Sequence, residues 1–218
     1  MTVNREDFGT YAVGEYQYAM DFIQSVFATE ASTEDQLIVL NFMLDVVKED
    51  LRTDLLSYIF YSQIDFSREF DWPFPVTCRD EAGNEILTEK GKTEVDLAQS
   101  CVLVLPWRRD RLYNQIINIF KNDFHYIERN HKAWYFPYIS LCYVYNGRHS
   151  VASGVGHKKG KIEARQYDIT KLFPHVNTDG KYWYNSHTGE RAGEVPDFRI
   201  SIIYEIARAI LKKETAPM

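Results

Sequence analysis

Residues 138–168 read YISLCYVYNGRHSVASGVGHKKGKIEARQYD, and the class of fold turns on them. Tyr138 to Tyr145 is rich in Tyr, Ile, Leu and Val, the composition of a strand. Asn146-Gly147 follows, and glycine there permits a tight backbone turn. Ser150 to Ser153 reads as the first turn of a short helix, so Arg148 and His149 stand at a strand-to-helix junction. Gly154, Gly156 and Gly160 then punctuate a basic loop that carries His157, Lys158 and Lys159. A further strand runs from Lys161 to Tyr167.

Upstream, Cys101 to Leu105 (CVLVL) is a short continuous apolar run, as expected for a strand buried on both faces, and Pro106 ends it. Asp110 is placed to cap a helix running to about Lys121, with Leu112, Ile116, Ile117 and Phe120 inward. Strand, helix, strand, short helix, strand is the signature of an α/β unit. Downstream, Asp179-Gly180 and Thr188-Gly189 bracket Tyr182-Trp183-Tyr184 as a hairpin. Phe198 to Lys213 closes as an amphipathic helix with Ile202, Ile206, Ala209 and Ile210 inward. At the other end, residues 14–28 repeat apolar side chains at helical steps (Tyr18, Ala19, Phe22, Ile23, Val26). Thr33 opens a second helix with Gln36 as a capping-box partner, and its stripe of Leu37, Leu40, Leu44, Val47, Leu51, Leu55 and Ile59 runs to about Ile64. The expectation is a single α+β domain. It has a helical layer over 1–70, a long connection over 71–99 broken by Pro73 and Pro75, and a mixed-sheet βαβαβ-like core with hairpin and C-terminal helix over 100–218.

A chain of 218 residues that is 45% hydrophobic and 26% charged has enough apolar material for a packed core, which argues against wholesale disorder. Its polar start, MTVNREDFGTY, lacks the apolar segment of a secretory leader. The longest apolar run, Gln36 to Val47, is interrupted by Asn41 and Asp45 and falls short of the about 20 residues that span a bilayer. Cys78, Cys101 and Cys142 have neither metal-ligand spacing nor the even number of a disulfide framework. These features together fit a cytoplasmic protein with no membrane partner. The net charge of −6 conceals an asymmetry. Residues 1–100 carry 20 Asp and Glu against 7 Lys and Arg, while residues 101–218 carry 18 Lys and Arg against 11 Asp and Glu. An anionic ligand belongs with the basic half, unless the two halves neutralise each other by packing together.

The residues that carry chemistry cluster after the strand at 138–145. The N–H groups at a helix start attract phosphate, and an adjacent Arg adds a two-pronged clamp. Asn146, Gly147, Arg148 and Ser150 therefore form a candidate phosphate site, with His149 as the group that polarises phosphate or moves a proton. Arg108 and Arg109, with Arg111, form a second basic cluster between strand and helix, and Lys158 stands in the basic loop. Plainer readings stand beside these. Asn-Gly also suits a simple hairpin, Lys158-Lys159 a solvated loop tip, and the arginines could pair with the acidic half. Tyr182, Trp183, Tyr184 and His187 suit either a base-stacking platform or a hairpin packed on the core. His125, Glu128 and His131 are spaced three apart, which does not bring them to one helical face, so no metal site is expected. There is no G-x-S-x-G turn and no Walker A sequence.

The layout of residues 100–168 resembles the nucleotide-binding core shared by ParB amino-terminal domains, sulfiredoxins and DGQHR-domain proteins. The matching residues are Gly147-Arg148-His149-Ser150, after ISLCYVY and before KIEARQY, and Leu105-Pro106-Trp107-Arg108-Arg109 is similar to their first-strand Pro/Arg segment. The whole chain, through its YNGRHS-like stretch, also resembles a bacterial family without assigned function. The core resemblance implies binding of ATP or CTP with Mg²⁺, and phosphoryl transfer or nuclease activity in some members. The sequence departs from that pattern at Ser150, where the family has an Arg that contacts phosphate. Two other expectations compete with nucleotide binding: a non-catalytic interaction protein of a bacterial or phage defence pathway that meets a protein partner through the acidic N-terminal helices, and nucleic-acid binding through the basic half.

Overall fold

In the computed structural model, which describes residues 5–62 and 72–216, the elements run in the following order. Two helices, α1 (Arg5–Ala28) and α2 (Thr33–Tyr61), precede strands β1 (Glu89–Asp96) and β2 (Cys101–Leu103). Then come α3 (Arg109–Lys121), β3 (Lys132–Phe136), β4 (Leu141–Asn146), α4 (Arg148–His157) and β5 (Lys161–Tyr167). The chain ends in β6 (Val176–Thr178), β7 (Tyr182–Asn185), β8 (Arg191–Glu194) and α5 (Phe198–Glu214). The α+β class, the mixed sheet, the hairpin and the closing helix are all present. No helix among the described residues is long and apolar enough to cross a membrane. The expected continuation of α2 to Ile64 falls outside the described residues.

The residues group into two compact units, each assembled from separated segments. One unit draws on residues 49–62 and 88–168 and contains the five-stranded sheet, in the order β1-β5-β3-β4-β2. β2 and β4 are parallel neighbours, with Val102 beside Cys142, and α3 makes the crossover between them. β3 is antiparallel to β4 and parallel to β5, so α4 joins two strands that run in opposite directions with β3 between them. Alternate strand residues (Val102 and Val104, Cys142 and Val144, Ile162 and Ala164) point to one face. There they meet Leu112 of α3, Val151, Ala152 and Val155 of α4, and Ile59 of α2. Each Val, Leu or Ile among them, fully buried, contributes about 1.5–3 kcal/mol.

Several expectations change within this unit. The strand expected at 138–145 begins only at Leu141. Tyr138 and Ile139 lie in a 3-10 turn over Pro137–Ile139, closed by Ser140 at φ 49°, because Pro137 withholds a ladder N–H and favours the turn. β3 occupies a stretch read as loop, and β1 a stretch read as polar connection. β1 is an edge strand that buries only Val95, and its outer side chains form ion pairs across to β5 and beyond: Lys92 with Glu163 and Glu128, Glu94 with Lys161, Glu89 with Arg165. Charged edges of this kind discourage pairing with other chains. Gly154 and Gly156 lie inside α4, not in a loop. A Cβ on Gly154 would sit 2.7 Å from Leu97 Cδ1 and 2.9 Å from the Lys159 carbonyl, so the glycine is explained by close packing. Asp110 does not cap α3. Arg108 holds that position without a side-chain cap, and Asp110 pairs with Arg108 from the first turn. The buried stripe of α3 is Leu112, Ile116 and Ile119, at four- and three-residue steps, which leaves Phe120 69% exposed.

The other unit draws on residues 5–48, 72–87 and 169–216. The hairpin alternates as a strand must, so Trp183 alone turns fully inward, against Phe74 and Tyr204. Tyr184 donates to Asp179 Oδ2 at 2.7 Å, and Tyr182 lies under the Arg191 guanidinium at 3.9 Å. The central ring of the expected stacking platform is therefore core. Tyr16 of α1 donates to the Thr178 carbonyl, and its ring packs where a Cβ on Gly180 would stand. Tyr18 and Phe22, expected inward, face solvent, while Tyr16, Ile23 and Val26 are buried. Of the expected α2 stripe Leu40, Leu44, Leu51, Leu55 and Ile59 are buried and Leu37 and Val47 half-buried, while Gln36 and Lys48 are buried in addition. The start of α2 is capped one residue early, by Ser32 Oγ accepting from the Asp35 N–H at 3.1 Å.

The corrected face of α3 predicts unequal mutants. Leu112→Ala should lower stability by about 2–5 kcal/mol and Phe120→Ala by less than about 0.5 kcal/mol, measured by urea unfolding. Equal losses would restore the original assignment of the helix face.

Candidate functional site

The strand-to-helix turn is held from below. Gly147 has φ 74° and ψ 21°, left-handed backbone that favours glycine. A Cβ there would also lie 2.4 Å from His131 Cδ2 and 3.0 Å from the Asn130 carbonyl. His131 is buried and stacks on Phe124. Its Nδ1 accepts the Ile127 N–H at 3.0 Å, which places the ring proton on Nε2, and Nε2 meets Ser150 Oγ at 2.8 Å. Ser150 Oγ in turn donates to the Gly147 carbonyl at 2.9 Å. Ser150 is thus committed to the turn and does not replace the phosphate-binding Arg of the resembling families.

His149 is fixed differently. Its Nε2 accepts the Arg108 backbone N–H at 3.0 Å, so in the neutral ring Nδ1 carries the proton. The ring packs against Trp107 with centroids 5.5 Å apart. Burial, and next the positive charge of Arg111, hold its pKa down to about 4. At neutral pH His149 is therefore an uncharged N–H donor. The proton-moving role has no support in this arrangement, because the nitrogen that would take a proton already accepts a backbone hydrogen bond.

Around these groups lies a cavity of about 540 Å³. Asn146, Gly147, Arg148, His149 and Ser150 form one wall, and Arg111, Asn114 and Gln115 of α3 another. Trp107, Tyr145 and Asn130 complete it. Arg148 is 8% exposed, and its Nε donates to the Tyr145 carbonyl at 3.2 Å. The Arg111 guanidinium stands 5.4 Å from the centre of the Trp107 ring. Tyr145 is stacked on Trp134 at 4.2 Å, which fixes its ring. The lining combines two guanidinium groups, a helix N-terminus, four side-chain amides and two aromatic walls, and among the described residues none that lines it is acidic.

The chain matches the model of a family of unknown function, DUF6710, over residues 5–216. It belongs to that family. No curated protein and no solved structure matches it. For this DUF6710 chain, the site must be argued from its own geometry.

The other proposed site residues lie elsewhere. Arg108 turns back on Asp110, with Nε at 3.1 Å and Nη2 at 2.6 Å from the two carboxylate oxygens. Arg109 donates to the Ile59 and Ser62 carbonyls, both at 2.9 Å, and ties the end of α2 to α3. Lys158 ends α4 in left-handed backbone at φ 53°, about 15 Å along the helix from the Gly147 turn. The basic loop does not fold over the cavity, since Lys159 donates to the Ile119 carbonyl and His157 Nε2 meets the Ile116 carbonyl. Glu128 turns outward to Lys92 while His131 turns inward to Ser150. Part of the basic excess of the second half is thus neutralised by the β1–β5 ion pairs. Sequence reasoning missed Asn114, Gln115, Asn130 and Tyr145. The first two share a helix face with Arg111 at three- and four-residue steps, beside the buried stripe of Leu112 and Ile119, and that polar spacing was the available signal. Mg²⁺, implied by the resemblance, does not fit this lining. The ion is ordinarily bound through one or two carboxylates, and the carboxylate that Arg108 grips, Asp110, is already paired.

The depressed pKa of His149 sets an acid limit. An unfolded histidine titrates near about 6.5. Between about pH 4 and 6.5 the unfolded chain therefore binds a proton that the folded ring does not, and stability present above this window is lost as pH falls through it. Burial shifts His131 in the same direction. His149→Gln should reduce the fall in urea midpoint between about pH 7 and about pH 4. In the parent protein, the His149 imidazole nitrogens should report a neutral ring with hydrogen on Nδ1 at pH 6, an unchanged imidazolium signal being the contrary result.

Proposed function

We propose that the cavity at the β4–α4 turn binds a nucleotide. The observation that carries this reading is the lining itself: two arginines and the first turn of a helix face a cavity without carboxylates, between two aromatic rings. The N–H groups in the first turn of α4 have no acceptor within the helix and suit phosphate oxygens. Arg111 and Arg148 supply charge, and His149 Nδ1–H adds a neutral donor. Trp107 or Tyr145 offers a face for a base, a contact worth about 1–3 kcal/mol. The amides of Asn114, Gln115, Asn130 and Asn146 each carry both donor and acceptor, as base edges require. The turn from β4 into α4 is the part of the layout shared with the ParB and sulfiredoxin resemblance, while β3 between α3 and β4 is an added strand. We favour binding over phosphoryl transfer or phosphodiester cleavage, because the lining has no carboxylate base and His149 Nε2 is occupied.

Thermal shift tests the reading. A nucleotide at 100 times its Kd should add about 2.7 kcal/mol of stability, a rise of several degrees. Arg111→Gln should remove the shift and leave the ligand-free melting temperature nearly unchanged, because Arg111 is exposed. Arg148 is the poorer probe, since deleting a buried guanidinium strands the Tyr145 carbonyl and costs stability directly. A shift that survives Arg111→Gln would place the ligand elsewhere.

A second reading rests on a separate observation. On α2, Ile38, Phe42 and Val46 stand exposed at four-residue steps among acidic Glu34, Asp35, Asp45 and Glu49. Such a ridge fits a protein partner that offers an apolar groove rimmed by Lys or Arg. We propose it as the face of the interaction expected for the acidic helices. Phe42→Glu should abolish recovery of that partner by affinity purification while preserving the circular dichroism spectrum. Equal recovery by both proteins would dismiss the face.

A further inference from the structure

The cavity has a charge balance that narrows its ligand. Its cationic lining is Arg111 and Arg148, and the start of α4 adds about half an elementary charge. Among the cations nearby in sequence, Arg108 is held by Asp110 and Arg109 by the carbonyls of Ile59 and Ser62. A phosphate monoester carries about −1.5 to −2 at neutral pH, which two guanidinium groups and a helix N-terminus match. A triphosphate adds two further ionised phosphates, and among the described residues the lining has no further cation to meet them. Those charges would ordinarily be met by Mg²⁺, yet among the described residues no carboxylate lines the cavity to hold the ion. The volume of about 540 Å³ lies in the usual range for a single small ligand.

Resting on the nucleotide reading above, we infer that this site takes a nucleoside monophosphate and binds it without a divalent cation. The phosphate sits at the first turn of α4 between Arg111 and Arg148. The base lies against Trp107 or Tyr145, within reach of the amides. Because the protein brings its own cations, magnesium neither completes the site nor raises affinity.

Isothermal titration of the full chain decides it. The ligands are AMP, CMP, GMP and UMP, the four matching triphosphates, and inorganic phosphate, each titrated in EDTA and again in excess Mg²⁺. One or more monophosphates should bind with a Kd that differs by less than about twofold between EDTA and Mg²⁺. The matching triphosphate should bind at least about tenfold more weakly in EDTA, and Arg111→Gln should weaken the monophosphate by about tenfold or more. A triphosphate that binds more tightly than its monophosphate and only with Mg²⁺ overturns this inference while leaving the nucleotide reading intact. Inorganic phosphate binding as tightly as the monophosphates overturns the role given to the base. Failure of every nucleotide to bind overturns the nucleotide reading, and this inference with it.

Discussion

His131 Nε2 and Ser150 Oγ meet at 2.8 Å beneath a glycine that tolerates no side chain, and the geometry of the cavity depends on that contact. The backbone reverses at Gly147 in a conformation that an ordinary residue avoids at a cost of about 1–2 kcal/mol. Two independent anchors fix the reversal: the histidine below, itself oriented by the Ile127 N–H, and the serine that closes back on the Gly147 carbonyl. With the turn fixed, Arg148 and His149 emerge in set directions. The guanidinium is braced against the Tyr145 carbonyl and the imidazole against the Arg108 backbone. Preorganisation of this kind spares a ligand the entropy of arranging its own site.

The electrostatics follow from how the other charges are used. Arginines that look interchangeable along Trp107-Arg108-Arg109-Asp110-Arg111 have three separate duties. One pairs with a carboxylate, one ties helix ends together, and one stands over an aromatic ring at the cavity. Ion pairs between β1 and β5 neutralise Lys92 and Lys161 in the same unit. What remains positive is local, at Arg111 and Arg148, and does not make the whole face basic. This weakens the case for nucleic acid, which needs several phosphates neutralised along a track.

The strand β4, the glycine turn, the start of α4 and β5 were all legible in the sequence, because apolar composition and an Asn-Gly pair report local structure directly. β1 and β3 were not. β1 exposes a ladder of charges and buries Val95, so its pattern is that of a polar connection, while Lys132–Phe136 is a short strand set within polar residues. Gly154 of α4 misled for a related reason: its low helix propensity is overridden by tight packing against Leu97 and Phe124, whereas Gly156 faces open space and has no such packing. At the site, the residues adjacent in sequence to Gly147 were visible. Asn114, Gln115 and Asn130 were not, because their convergence is set by the packing of α3 and the approach of residue 130 to the turn. Ser150 was a candidate phosphate contact and no role was expected of His131, because the hydrogen bond between them joins residues 19 positions apart.

The interleaving of the two units bears on how the chain reaches its native state. α1 finds its packing partner in α5, which is made last, after the whole five-stranded sheet. Contacts of such long separation raise the contact order, and the closure entropy must be met before they form. During synthesis the apolar face of α1, with Tyr16, Ile23 and Val26, waits uncovered while residues 88–168 complete their own core. Chaperone capture, aggregation and proteolysis in the nascent chain should therefore concentrate at its beginning.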